Sequence, residues 1–228
     1  MADARNDRLV WVDLEMTGLD PVHDEIVEIA AIVTDGDLTE LDGGVSFVVR
    51  PPDLAILDGM DDVVVRMHTE SGLLEDIPSG IPLAEAADAV LSYVKQHVKE
   101  ARKAPLAGSS VYVDRGFLAR HAPTLDEYLH YRLVDVSTIK ELARRWYPRT
   151  YFNAPEKTGG HRALADIRES IAELRYYRET VFVNLPGPST DEARAAATNH
   201  VVDHGGRAAE SAAPPVAAPD PDRGSTAG

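Results

Sequence analysis

Residues 8–34 read RLVWVDLEMTGLDPVHDEIVEIAAIVT, two apolar, β-branched runs at 8–14 and 26–34 around a segment holding Gly18, Pro21 and several acids. Runs of this length, bounded by turn residues, read as strands. A third run, VSFVVR at 45–50, follows the turn signals TDGD at 34–37 and DGG at 42–44. The chain therefore opens as a strand meander. Helical periods take over afterwards, at 61–68, 82–101, 114–120, 137–146 and 161–178. Short apolar pieces at 105–108 and 132–134 fit two buried strands between those helices. Strands followed by alternating helices and strands predict an α/β fold, a mixed β-sheet flanked by helices. No internal repeat is visible.

The 228 residues suffice for one ordinary domain. At 44% hydrophobic and 27% charged the chain can bury a proper core, which excludes wholesale disorder and fibrous folds. There is no cysteine, so disulfides, thiolate zinc sites, iron–sulfur clusters and cysteine nucleophiles are excluded together. MADARNDR at the start carries charge with no apolar h-region of a signal peptide behind it, and no stretch approaches the ~18 apolar residues of a membrane span. A cytoplasmic location is the expectation. With 38 acids against 23 basic residues the formal net charge is −15, whereas proteins that neutralise many phosphates with Lys and Arg are basic. A nucleic-acid enzyme of this composition grips few phosphates or borrows positive charge from metal ions. Past residue 183 the sequence turns to Ala, Pro, Gly, Ser, Thr and Asp without an aromatic residue. Expected are a flexible N-terminus (1–7), a domain (8–183) and a low-complexity, disordered tail (184–228), with a short helix across 191–202 conceivable from EARAAA.

Asp13 and Glu15 end the first strand, and a spacing of two puts both carboxylates on one face. There they repel each other unless a cation lies between them; the plain alternative is two solvated acids. His161 follows a Gly-Gly pair and precedes Asp166 by five residues, about 500° around a helix, so His161 belongs to the loop or first turn. Asp114 follows an apolar segment and opens a helical one, where its bland role would be an N-cap.

Asp13, Glu15, Asp114, His161 and Asp166, in this order and context, resemble the DEDD-type exonucleases with a histidine in the third motif. The resemblance runs further, through WVDLEMTGLDP, VRMHTESGL, HYRLVDVSTIKELARRWYPR and HRALADIRESIAELRYYRE, to the oligoribonuclease family of actinobacterial type. It covers residues 8–183. It implies an RNase H-like fold and a homodimeric 3′-to-5′ exoribonuclease that degrades short oligoribonucleotides, including dinucleotides, to 5′-mononucleotides. A DNA exonuclease of the same superfamily and a silent nucleotide-binding module are the alternatives. By the resemblance Asp13, Glu15, Asp114 and Asp166 hold two divalent metal ions, Mg²⁺ or Mn²⁺. Such hard cations favour oxygen donors, and a pair of them offsets charge on the attacking and leaving oxygens. Histidine titrates near ~6.5, which suits His161 to accept a proton from the attacking water, so activity is expected to rise with pH across that region.

Substrate contacts follow from the same resemblance. Leu19 wedges against the bases and His68 lies by the scissile end. Ser110, Tyr131, Arg132, Ser137 and Lys140 form a cap over the 5′ phosphate, the last four donated partly by a second subunit. A forked guanidinium, hydroxyls and a helix N-terminus at Ser137 all suit an anion; the bland readings are a surface ion pair for Arg132, a core aromatic for Tyr131 and an N-cap for Ser137. The chain departs from the family at Val63, where relatives carry a base-stacking tryptophan, and at Ser109 and Val113 beside Asp114. Trp11 and Trp146 are expected to pack, and Arg144 and Arg145 to face solvent or sit near a dimer seam.

Overall fold

A computed structural model of the chain describes residues 7–156 and 160–200. It divides into two units, residues 1–183 and 184–228. The first contains a five-stranded sheet. β1 (Arg8–Met16) pairs antiparallel with β2 (Ile26–Asp35), and β2 with β3 (Val45–Val48). On its other side β1 runs parallel to β4 (Pro105–Gly108), and β4 parallel to β5 (His130–Asp135), giving the order β3-β2-β1-β4-β5. The meander and the mixed sheet are as the sequence predicts.

Between β3 and β4 lie α1 (Asp62–Glu70), α2 (Leu73–Asp76) and α3 (Leu83–His97). The parallel return from β4 to β5 needs a crossover, supplied by α4 (Tyr112–His121) and α5 (Pro123–Tyr128). Then follow α6 (Val136–Trp146), α7 (Pro148–Phe152) and α8 (Ala163–Thr180). In the second unit α9 (Thr190–Thr198) opens with a capping box between Ser189 and Glu192 and overlaps the range 191–202 where a short helix was conceivable; residues 201–228 of the expected tail, and 1–6, lie outside the described residues.

Central strands covered on both faces are apolar throughout, and successive side chains of β1 divide between two cores. Val10, Val12 and Leu14 pack with Val90 and Val94 of α3 and with Phe117 and Leu118 of α4. Trp11 packs on the other side with Val136 and Ala143 of α6 and Ile167, Ile171 and Tyr177 of α8. Asp13 and Glu15 share the parity of Trp11, so they face α8. That alternation is what turns an apolar strand into a platform for two acids.

Five readings are corrected, three of them plain alternatives to a functional role. β5 is an edge strand with Tyr131, Arg132 and Leu133 exposed, not a buried one. Trp146 is 66% exposed rather than packed, whereas Trp11 is fully buried and its indole donates to Thr34 Oγ1 at 3.0 Å. The cap of α6 is Asp135, not Ser137, and Asp114 lies inside the first turn of α4 instead of capping it. Tyr131 is 74% exposed, which removes the core reading.

Candidate active site

β1 delivers Asp13 and Glu15 near its C-terminal end, and a register shift follows at once between Glu15 and Met16, a local irregularity that re-aims side chains beside functional sites. α8 crosses this face with Asp166 in its first turn. Asp13, Glu15 and Asp166 each offer an oxygen within 4.8 Å of the others'. Three carboxylates so close cannot all stay ionised without positive charge. Burial first, then the charges of Asp114, Glu15, Asp166 and Glu28, hold the Asp13 carboxyl well above the usual range. Glu15 is pushed up to about 8, again by burial first and then by Asp166, Glu28 and Asp114, with Arg162 working against them.

Asp114, buried on α4, is not one of these three, but it borders them: its Oδ1 accepts from the backbone N–H of Leu14 at 3.0 Å. Burial lifts it to about 7 although that N–H favours its charged form. The fourth acid is therefore tied to the strand between the first two. This donor set fits divalent cations: hard oxygen ligands, mutually repelling and desolvated, with no thiolate or imidazole among the three.

His161 stands in the loop ahead of α8, two residues before its first turn, with φ +45°. Its charge bears on His68, which is fully buried. His68 donates from Nε2 to the Met16 carbonyl at 2.9 Å, and its Nδ1, without a hydrogen-bond partner among the described residues, lies 3.8 Å from Glu15 Oε2. Burial lowers the pKa of His68, so it is a neutral prop behind Glu15 and Met16. It lies beside Glu15 and offers no surface.

The remaining residues fall into two groups. Leu19 is 76% exposed in the loop after β1. Ser110, with φ +54°, donates from Oγ to Ser137 Oγ at 3.1 Å, and both lie with Asp135, Thr138 and Arg145 around an open depression of about 370 Å³. Asp135 Oδ1 accepts from the backbone N–H groups of Ser110 and Ser137, each at 2.9 Å, so it occupies the helix N-terminus expected to draw an anion. Tyr131 and Arg132 project from β5, the guanidinium 5.6 Å from the ring. Lys140 is paired with Glu173 at 3.1 Å. Val63 is exposed on α1, and Ser109 Oγ meets Ser170 Oγ at 2.9 Å.

The RNase_T exonuclease family model matches residues 10–174. An oligoribonuclease of Streptomyces coelicolor is 63% identical over 200 residues, covering 88% of this chain and all of that protein. One from Leifsonia xyli is 59% identical over 86% of this chain and 94% of its own length. The chain belongs to the oligoribonuclease family of exonucleases. Among solved structures, exonuclease I of E. coli, in a zinc-bound complex with single-stranded DNA, superposes with a TM-score of 0.58 at 16% identity. That match covers 77% of this chain and 41% of the larger protein, and it establishes the RNase H-like exonuclease fold. In this oligoribonuclease-family chain three of the four acids that the sequence singled out, Asp13, Glu15 and Asp166, lie together at β1 with Asp114 bordering them, and the residues expected to cap a phosphate are not in that group.

Sequence reasoning missed Glu28, Arg162, Asp76 and Asp135. The signal for Glu28 was available: an acid inside IVEIAAIVT, an otherwise apolar buried strand. Arg162 and Asp135 carried none, since exposed arginines and aspartates are ordinary.

Proposed function

We propose that this chain is a metal-dependent 3′-to-5′ exoribonuclease that hydrolyses short oligoribonucleotides, dinucleotides included, to 5′-mononucleotides. The observation that carries the reading is the approach of Asp13, Glu15 and Asp166 within 4.8 Å of one another, in a member of the oligoribonuclease family. Asp13, Glu15, Asp114 and Asp166 would hold two divalent ions, Mg²⁺ or Mn²⁺. When bound, these ions supply the positive charge that phosphodiester cleavage needs at the attacking and leaving oxygens. His161, on its own loop outside the carboxylate group, takes the proton of the attacking water and returns it to solvent. His68 keeps the turn after Glu15 in place through Met16.

Leu19 meets the bases from its exposed loop. Arg132 and Tyr131, exposed together on the edge strand, reach a terminal phosphate, with Ser110, Ser137 and Lys140 as further donors. Because Asp135 already fills the amides at the start of α6, hydroxyls and the guanidinium carry that contact. A homodimer accounts for the edge strand: β5 leaves main-chain groups unpaired and shows Tyr131 and Leu133 to solvent, a surface that soluble proteins cover. Among the described residues no helix is long and apolar enough to cross a membrane, and a short-RNA substrate suits work in the cytoplasm.

The test is a 5′-labelled RNA series from the dinucleotide to about twenty residues, each beside its DNA counterpart, in Mn²⁺, Mg²⁺ or EDTA. Metal-dependent cleavage, strongest on the shortest RNA, is expected. Preference for DNA or for long strands would replace this reading with that of a DNA exonuclease.

A further inference from the structure

Glu28 is 2% exposed and lies outside the carboxylate cluster, yet it stands directly opposite Glu15 in the β1–β2 ladder. Opposed residues of an antiparallel pair share a face, and like charges there repel. Glu28 is nevertheless held by an unusually full set of donors. Its Oε1 accepts from Ser46 Oγ at 2.9 Å and Arg162 Nε at 3.3 Å; its Oε2 accepts from the same Nε at 3.3 Å and from the backbone N–H of Ala163 at 3.2 Å. Arg162 extends the link through Nη1 to Asp76 Oδ2 at 3.1 Å.

The position of the last donor matters. Ala163 opens α8, and its cap residue Arg162 makes no side-chain capping bond of its own. The first amide of a helix has no partner inside it; here the partner comes from the middle of the sheet, 135 residues earlier. Three residues further along α8 is Asp166, and on the other side of Arg162 is His161 in the left-handed region. A residue with a side chain keeps that conformation only where its neighbours hold it.

We propose that Glu28 and Arg162 are positioning residues: a buried clamp that fastens the start of α8 to β2 and so presents Asp166 and His161 to Asp13 and Glu15. The clamp works through geometry and charge together. Arg162 neutralises the Glu28 carboxylate, which would otherwise add a fifth unbalanced charge to the site, and the neutralised carboxylate caps the helix that carries Asp166. Neither side chain belongs to the group of Asp13, Glu15 and Asp166. The proposal rests on the nuclease reading above for its kinetic consequences, and on the fold alone for its effect on cation binding.

The experiment compares the full-length wild-type chain with Glu28→Gln, Arg162→Lys and the double variant Glu28→Gln/Arg162→Gln. For each, kcat and KM are measured on an RNA dinucleotide, Mn²⁺ affinity by calorimetry, and folding by circular dichroism and thermal midpoint. Glu28→Gln is expected to lower kcat ~10–100-fold, the range of residues that orient metal ligands, with KM little changed and Mn²⁺ bound more weakly. Arg162→Lys, which keeps the charge but loses the fork, is expected to show a smaller loss of the same kind, and it serves in place of Glu28→Gln should that variant not fold. The double variant is expected to lose no more than Glu28→Gln, because the two act as one unit. A lowered thermal midpoint with unchanged kcat and Mn²⁺ affinity in the folded protein, or fully additive losses, would overturn the clamp. Were the wild-type chain inert on RNA, the function proposed above would fall by itself; the clamp is then decided by the Mn²⁺ titration, where equal affinity in wild type and Glu28→Gln refutes it.

Discussion

At the scale of single residues, the carboxylates beside β1 are raised by burial first and, for Asp13 and Glu15, by one another, which makes them measurable. Glu15 and Asp114 are pushed up to about 8 and about 7, against ~4 for exposed carboxyls. Between those values the folded, metal-free chain binds more protons than the unfolded one, so stability contributed there is full below pH ~4 and is lost as pH rises toward 8. The thermal midpoint in EDTA is therefore expected to fall from pH 5 to pH 8, and to fall less in Glu15→Gln; a midpoint that rises over this range would contradict the geometry. Cations need the charged carboxylates, so binding at pH 7 is expected to release protons, which calorimetry in two buffers of different ionisation enthalpy reads directly. Asp13→Ala and Asp166→Ala are expected to abolish RNA hydrolysis while the chain stays folded, since each removes repulsion along with a ligand. Retained activity in either folded variant would remove the candidate site. The sequence pointed to these acids through its resemblance to a known family; it could not show that Asp114 is bonded to Leu14, because a hydrogen bond across 100 residues leaves no local pattern.

At the scale of elements, the hairpin between β2 and β3 sets how closely α8 approaches the sheet. Gly44 has φ +73°, and a Cβ there would meet Ile32 Cγ1 at 2.6 Å, the Ala31 carbonyl oxygen at 2.7 Å and Leu164 Cδ1 of α8 at 3.1 Å. Gly44→Ala thus combines a disfavoured backbone with overpacking, and a loss of ~1–3 kcal/mol in denaturant unfolding is expected. A neutral result would mean that the hairpin yields without cost. Element existence was well marked: the strands and long helices carry apolar periods set by neighbours two, three or four residues apart. The short helices α5 and α7 were not, for a single turn and a half has too few residues to display a period.

At the scale of the whole molecule, β5 is the edge that defines what else the domain can do. Light scattering of the full chain is expected to give twice the 24.8 kDa chain mass, and a monomer would remove the shared phosphate cap. Truncation after Val183 is expected to leave kcat and KM on a dinucleotide unchanged, as the residues proposed for chemistry all precede it; loss of activity would assign the tail a part in the reaction. The surface also explains why Trp146 misled. An aromatic on the periodic face of an amphipathic helix reads as core, and only the placement of α6 shows it exposed, at the end of the helix that leads out of the edge strand.

The sequence alone determined the meander and the order of helices and strands, because turn chemistry and apolar period are properties of neighbouring residues, and its resemblance to a known family marked the candidate acids. Tertiary structure alone decided that β5 lies at the edge, that Asp135 caps α6, and that Glu28 meets Arg162 and Ala163. Those pairings depend on which faces of the sheet are covered and on contacts between segments up to 135 residues apart, where side-chain chemistry is common to many residues and only position in space selects the partner.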